Sequence, residues 1–548
     1  YGIRRRCCRI FRQYVTSPKS KDCSYRRQAF LAKMHAMRCF EDGRARRIYP
    51  QQFKRLVRLV SYILGFLVAL YYFLLYVDTL QPLDPTLLER YEPPSSVIAG
   101  QRKLALVLPV DGPSPQLCKV IASAVALGYP HPIIVNWRKH DLHVNADPSI
   151  PSHLLKITGV LDLLESAVDG SSSQLPRMGE DDLVVVMDAM DVWLQLPPEI
   201  LIQRYFAINA RANARLAEQY SDCDLAAPQQ SIIVSAQKRC VRPHNTVSDL
   251  HCQDLPQSPL PDDLYGMWTD LRISKAEYRR ARYLNSGGFI GPAGDLRDYF
   301  VRVRDRMERN LKSQPTAELA GDQGIFAEIW AEQEIWRKQV ISEFEQPDLV
   351  EEKFEYHVGL DYFQELFYPT CGSERSGSFV EIDDEAALKQ ASSSAGVAPL
   401  RLHDLPDDIS RAHPPLSSLD DETSWSAKSL FADFWTTAIP VAIHNNAYAH
   451  GLKSRQQTWW DKTWYFSHLR SLIELRAASN ASMSVAEIDA VEGSLQVQPY
   501  RTPDGSEAAF LFAKRMRKLE AASWDEICQA DGMPPWWEEV LRDGRGSM

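Results

Sequence analysis

The chain has 548 residues, 45% of them hydrophobic and 24% charged. This excludes an intrinsically disordered protein and exceeds what one compact core usually fills. The net charge of −9 conceals an asymmetry: residues 1–58 carry 17 basic and 3 acidic side chains, or +14, while the other 490 residues carry 45 and 68, or −23. The acidic bulk excludes nucleic acid as its main ligand, and the basic arm finds a better explanation in the segment that follows it.

That segment, Leu59 to Val77, is 19 residues without a formal charge. Its length suits a bilayer core and is too long for the apolar part of a signal peptide. No small-residue cleavage site follows. Lys54, Arg55 and Arg58 flank its start, and Tyr71, Tyr72 and Tyr76 fall where interfacial aromatic rings belong. The alternative is a buried core helix. The excess of positive charge predicts a cytosolic tail at 1–58, a single transmembrane signal anchor at 59–77 and a type II orientation. The Pro-bearing stretch 78–102 then serves as a stem. Cys118, Cys223, Cys240, Cys252, Cys371 and Cys528 would all lie on the far, oxidising side. They are an even number, compatible with disulfides, and show no zinc-type spacing.

Beyond the stem the chain alternates. Leu104 to Val110 predicts a buried strand, Gln116 to Leu127 a helix, Pro132 to Trp137 a second strand, and Ser152 to Ser166 a helix. Leu183 to Met187, with three consecutive valines, predicts a strand buried on both faces. Such alternation argues for an α/β fold built on a doubly wound parallel sheet. Pro197 and Pro198 open a further helix. Tyr283 to Gly291 places two glycines between apolar residues, a pattern for close backbone approach to a ligand or for a tight turn. Asp298 to Arg309 and Asp322 to Gln339 predict helices, and Pro440 to Gly451 a short strand. Residues 372–428, rich in Ser, Asp and Pro, predict a long flexible surface insertion. Residues 476–548 read as an extension of unknown role, with Trp536 and Trp537 as a packed aromatic patch. Asn480-Ala481-Ser482 is an acceptor sequence for N-glycosylation.

The 183–187 strand ends in two carboxylates, Asp188 and Asp191. Ligands of open α/β sheets bind off the carboxyl ends of the strands, and two close carboxylates repel unless a cation lies between them. Oxygen ligands favour hard divalent ions such as magnesium or manganese. The plainer alternative is a solvated acidic turn.

Four stretches stand in order: Asp188 to Asp191, Leu284 to Gly288, Asp322-Gln323 and Ile443 to Asn446. The set resembles the luminal glycosyltransferase domain of the procollagen lysyl hydroxylases and, more distantly, the collagen galactosyltransferases. That family carries D-x-x-D after a hydrophobic strand, then S-A-E-x-x-C-W-P, L-N-S-G-G-F-I-G, D-D-Q and P-V-x-I-H-G-N-G. Here Ser235-Ala236-Gln237 leads to Cys240-Val241-Arg242-Pro243, Leu284 to Gly291 matches residue for residue, and Pro440 to Asn446 closes the series. The resemblance covers about residues 103–475 and implies a GT-A fold, a Rossmann-like and mostly parallel sheet flanked by helices. It further implies a hexosyltransferase using a UDP-sugar donor and manganese or another divalent cation. The acceptor would be a protein or glycan of the secretory pathway, and the location the Golgi or endoplasmic reticulum membrane.

Position by position, the resemblance places metal ligands at Asp188, Asp191 and His444, and donor contacts at Lys156, Asn285, Ser286, Gly287, Gly288, Gln323 and Asn446. It leaves Asp322 as the acid that serves transfer. The chain departs from the family where D-D-Q is Gly321-Asp322-Gln323, where the tryptophan after the cysteine is Val241, and where two glycines are Asn445 and Ala447. Nothing resembles the iron-dependent hydroxylase domain. Two other classes stay open: a non-catalytic anchored binding protein on the same fold, and a haloacid-dehalogenase-like phosphatase. The second needs its acids two apart, whereas here they are three apart.

Overall fold

The computed structural model describes residues 59–68 and most of 97–548. Outside the described residues lie 1–58, 69–96 and the segments 138–151, 171–173, 222–226, 242–249, 272–274, 314–320, 343–353, 416–423, 448–453, 479–483, 491 and 502–506. The chain divides into two units, Tyr1–Asp78 and Thr79–Met548. In the first, residues 59–68 are helical with exposed side chains. Among the described residues no helix is long and apolar enough to cross a membrane. The rest of the expected anchor, the basic tail, the stem up to residue 96, Cys223 and the glycosylation acceptor at Asn480 all lie outside them.

The second unit is mixed α/β, with a largely parallel central sheet flanked by helices. It opens with β1 (Gly100–Pro109), α1 (Pro115–Leu127), β2 (Ile133–Val135), α2 (Leu155–Val168) and β3 (Leu183–Met187). Local chemistry sets the joints. Ser114 caps α1 by accepting from the Leu117 N–H at 3.0 Å, Pro115 occupies its first turn, and Gly128 ends it at φ 88°. β1 runs parallel to β2 on one edge and to β3 on the other. Its side chains alternate between two cores. Leu104, Leu106 and Leu108 join the cluster that includes α1, whereas Ala105 and Val107 join the one that includes α2. A sheet covered on both faces requires runs that are apolar throughout, which is why Leu183 to Met187 is buried at every position.

The chain continues through β4 (Val192–Leu194), α3 (Pro198–Gln219), β5 (Ile232–Gln237), β6 (Tyr283–Pro292), α4 (Ala293–Ser313), α5 (Gly321–Ser342), β7 (Val358–Asp361) and β8 (Phe367–Pro369). β6 breaks the parallel rule, pairing antiparallel to both β3 and β5. Its amino-terminal half therefore lies at the carboxyl end of β3, with Met187 opposite Gly288. The β5–β6 ladder passes from Val234↔Phe289 to Ala236↔Leu284, so residues 285–288 bulge out opposite a single residue of β5. The glycine-bearing stretch is thus a bulged strand, a device that re-aims side chains beside a site.

Two expectations are corrected. The described residues 372–415 and 424–428 do not form a flexible insertion: β9 (Gly377–Val380) pairs antiparallel with β10 (Leu430–Asp433), and α6 (Glu385–Ser394) lies between them in sequence. Val380, Ile382, Leu388, Val397, Leu402, Ile409 and Trp425 enter the same core as α1 and α3. The buried Arg204 of α3 reaches Asp408 through Nε and Nη2, at 2.5 and 3.3 Å. Nor are residues 476–548 an extension outside the domain. After β11 (Ala442–His444) and α7 (Leu469–Ala478), they supply β12 (Ala486–Asp489), β13 (Ser494–Pro499), β14 (Ala509–Ala513) and β15 (Lys518–Ala522). β13 runs parallel to the first half of β1, on the edge that β2 occupies in the second half, and β14 runs parallel to β2. α8 (Trp524–Cys528) returns to α1, where Cys528 is disulfide-bonded to Cys118. Trp536 is buried and stacks on Trp524, which places the aromatic pair in the packed core. A second disulfide joins Cys240 and Cys252, and Cys371 is free.

Candidate metal centre

A second, three-stranded sheet carries the site. In it β11 pairs antiparallel with β4 and parallel with β8, setting His444 opposite Val192 and Pro369. Asp188 follows β3 directly and its N–H donates to the Gly287 carbonyl at 3.1 Å. Asp191 precedes β4, and its carbonyl accepts from the Asn445 N–H at 2.7 Å. The loop between the two sheets therefore delivers both acids to the end of β11. One oxygen of each acid and one ring nitrogen of His444 lie within 4.8 Å of one another. His444 Nε2 stands 3.4 Å from Asp191 Oδ1 and 3.6 Å from Asp188 Oδ2. His444 is buried, whereas the Asp188 side chain keeps 35% exposure, so the cluster opens to solvent on the Asp188 side.

Lys156, on α2, balances part of this charge. Its ammonium donates to Asp188 Oδ1 at 2.7 Å and to the Ser286 carbonyl, and lies 3.2 Å from Asp322 Oδ2. Burial opposes the charge, but Asp188 and Asp322 together hold the amine above the ordinary lysine range. The three carboxylates Asp188, Asp191 and Asp322 against one ammonium leave −2, matching a divalent cation. Carboxylate oxygens suit hard divalent ions, and the imidazole nitrogen adds a donor typical of first-row transition metals. The residues present fit a metal ion.

Several residues expected at the donor make contacts within the protein. Lys156 is only 6% exposed and is committed to the two acids, so it orders the site from beneath. The glycines make room for rings of the protein itself. A Cβ on Gly287 would come within 2.2 Å of His444 Cε1, and one on Gly288 within 2.5 Å of the Phe367 ring. Asn446 accepts from the Cys371 N–H at 2.8 Å and ties β11 to the loop after β8. Ser286 Oγ donates to Asp322 Oδ2 at 2.9 Å. Asn285 lies behind His444, with Oδ1 3.0 Å from His444 Nδ1. Its amide nitrogen donates to Oε1 of both Gln237 and Gln323, at 3.0 Å each.

Beside this cluster is a small cleft of about 10 Å³, room for a single water molecule, lined among others by Gln237, Val241, Tyr283, Gln323 and Trp330. Gln237 stood out in the sequence only as the end of Ser235-Ala236-Gln237. Here it connects the cleft to Asn285, and the departure Val241 stands at the cleft wall. No protein-family model matches the chain, and no curated protein matches it.

Proposed function

We propose that this chain is a metal-dependent glycosyltransferase of the GT-A type, transferring a hexose from a UDP-sugar to an acceptor hydroxyl. The observation that carries the proposal is the convergence of Asp188, Asp191 and His444 at the carboxyl end of β3, around a local charge of −2. That end of an open α/β sheet is where nucleotides bind. A bound divalent ion would supply positive charge to the diphosphate as it leaves. Asp188, Asp191 and His444 would hold the ion, and the solvent-open Asp188 side would admit the donor's diphosphate. Transfer breaks the bond between the anomeric carbon and the diphosphate and forms one to the acceptor oxygen, whose proton must leave. Asp322, 18% exposed and within reach of Ser286 Oγ, is the carboxylate for that side of the chemistry.

We also propose that the protein is a single-pass type II protein of the Golgi or endoplasmic reticulum membrane, with the second unit luminal. The uncharged stretch 59–77 and the +14 arm before it support this. The Cys118–Cys528 and Cys240–Cys252 disulfides are in keeping with an oxidising compartment. Protease added to sealed microsomes should trim only the first 58 or so residues, and digestion of the bulk would overturn the orientation. The deciding experiment for function is UDP release from a panel of UDP-hexoses by the full chain. Release that requires manganese supports the proposal, and no release from any donor with or without manganese rejects it.

A further inference from the structure

We propose that Asn285 is a positioning residue that holds His444 in the tautomer protonated on Nδ1, so that the Nε2 lone pair faces Asp188 and Asp191. The proposal rests on the metal reading only for its purpose, since the tautomer itself follows from hydrogen bonds. Which way a carboxamide points is decided by its partners, and here backbone groups with no choice of role decide it. The Gly287 N–H can only donate, and it lies 3.1 Å from Asn285 Oδ1, which must therefore be the oxygen. The Ser286 N–H, 3.4 Å from Gln323 Oε1, orients that glutamine in the same way. The Arg239 carbonyl can only accept, and it takes Gln237 Nε2 at 2.8 Å, which leaves Gln237 Oε1 facing Asn285. Asn285 Nδ2 thus sits between two carboxamide oxygens. A flipped Asn285 would set oxygen against both of them and N–H against N–H at Gly287.

His444 Nδ1 consequently faces an oxygen at 3.0 Å that can only accept, and a neutral imidazole meets it by carrying its proton there. The carboxylate oxygens nearest Nε2, at 3.4 and 3.6 Å, are farther from it than Asn285 Oδ1 is from Nδ1, so the shorter hydrogen bond is the one that a proton on Nδ1 makes. A histidine prepared in this way binds a cation without first losing a proton from the ligating nitrogen, and its other N–H is held by an oxygen, as is general for metal-binding histidines.

The test uses the full chain labelled with ¹⁵N-histidine, free of metal, near pH 8, where an ordinary imidazole is neutral. Long-range proton–nitrogen correlation reads the tautomer, and the resonances lost in His444→Gln assign it. The expected result is the Nδ1–H form in the parent and in Gln323→Glu, which keeps an acceptor for both Asn285 Nδ2 and the Ser286 N–H. Asn285→Leu removes the acceptor and should convert His444 to the Nε2–H form. It should also weaken manganese binding roughly 10–100-fold in calorimetry. An Nε2–H parent overturns the proposal whether or not the leucine variant folds. A folded Asn285→Leu that keeps the Nδ1–H form overturns it as well. The expected tautomers without any manganese binding would uphold Asn285 and reject the metal reading instead.

Discussion

Gly287 and His444 are in such close contact that no other residue fits at position 287: an added Cβ would stand 2.2 Å from Cε1 and 2.3 Å from Nδ1 of the ring. Gly287→Ala should therefore displace His444 without touching either aspartate. We expect manganese affinity to fall by about 10-fold or more, as for other losses of support to a metal ligand, with an overpacking cost of about 1–3 kcal/mol in stability. Calorimetry with manganese and UDP, together with urea denaturation, measures both. Unchanged affinity would mean that the ring is not a ligand.

Asp188→Ala and His444→Ala should each abolish metal-dependent UDP binding while the domain stays folded, since Asp188 is partly exposed and His444 lies at the end of a short strand. Circular dichroism checks the fold and calorimetry the binding. Full UDP affinity in His444→Ala removes that residue from the site.

Lys156→Met should separate stability from metal binding. Removing the ammonium leaves Asp188 and Asp322 without their shared partner. Loss of one side of a buried pair costs about 3 kcal/mol, or less here because solvent screens Asp188. The same change makes the cluster more negative, so manganese should bind more tightly than to the parent. A weaker metal would show that Lys156 shapes the ligands more than it competes with the ion.

Asp322→Asn keeps the size of the side chain and removes its charge. Folding should stay near the parental level and manganese should bind somewhat more weakly as the cluster loses one negative charge, while transfer at saturating manganese and donor falls by roughly 10²-fold or more. Initial rates under saturating donor test this, and parental turnover would reduce Asp322 to a structural partner of Lys156 and Ser286.

Asp361 gives the fold a pH dependence away from the site. Burial, with Glu365 adding to it, raises this carboxyl to about 6, against the N–H groups of Phe367, Leu366 and Glu365 that favour the carboxylate. Its ordinary value is 3.8, so the folded chain holds the proton more tightly than the unfolded one. The stabilisation is complete below about pH 4 and is lost as pH rises through about 6. Two pH units correspond to about 3 kcal/mol. The unfolding free energy of the parent minus that of Asp361→Asn should fall by up to this amount between pH 4 and 7. A difference independent of pH would show an unshifted carboxyl.

Much of the central sheet could be read from the sequence because a strand covered on both faces leaves an unbroken apolar run, as Leu183 to Met187 does. The convergence of Asp188, Asp191 and His444 was legible only through order and resemblance, since spacing within the chain says nothing about residues some 250 positions apart. Composition misled at 372–428. There Val380, Leu388 and Ile409 are scattered among Ser, Asp and Pro, yet each is buried. Leu495 and Val497 alternate with polar residues in β13, but the run is short and its partner, β1, begins almost 400 residues earlier, so the stretch was not read as a strand. The role of Asn285 was hidden for another reason: an asparagine in a glycine-bearing stretch looks like a ligand contact until its neighbours' hydrogen-bond directions are known.

The arrangement of the central sheet also bears on how the protein is made. β1 and β2 are among the first strands of the second unit, but their open edges are filled by β13 and β14, and the face of α1 is closed by Cys528. A chain that emerges from its amino terminus must keep two bare strand edges and an unpaired Cys118 until residues 494–528 arrive. Unpaired edges of this kind recruit other chains. Synthesis interrupted before residue 494 should therefore yield an aggregation-prone fragment, which expression of a chain ending at residue 493 would test.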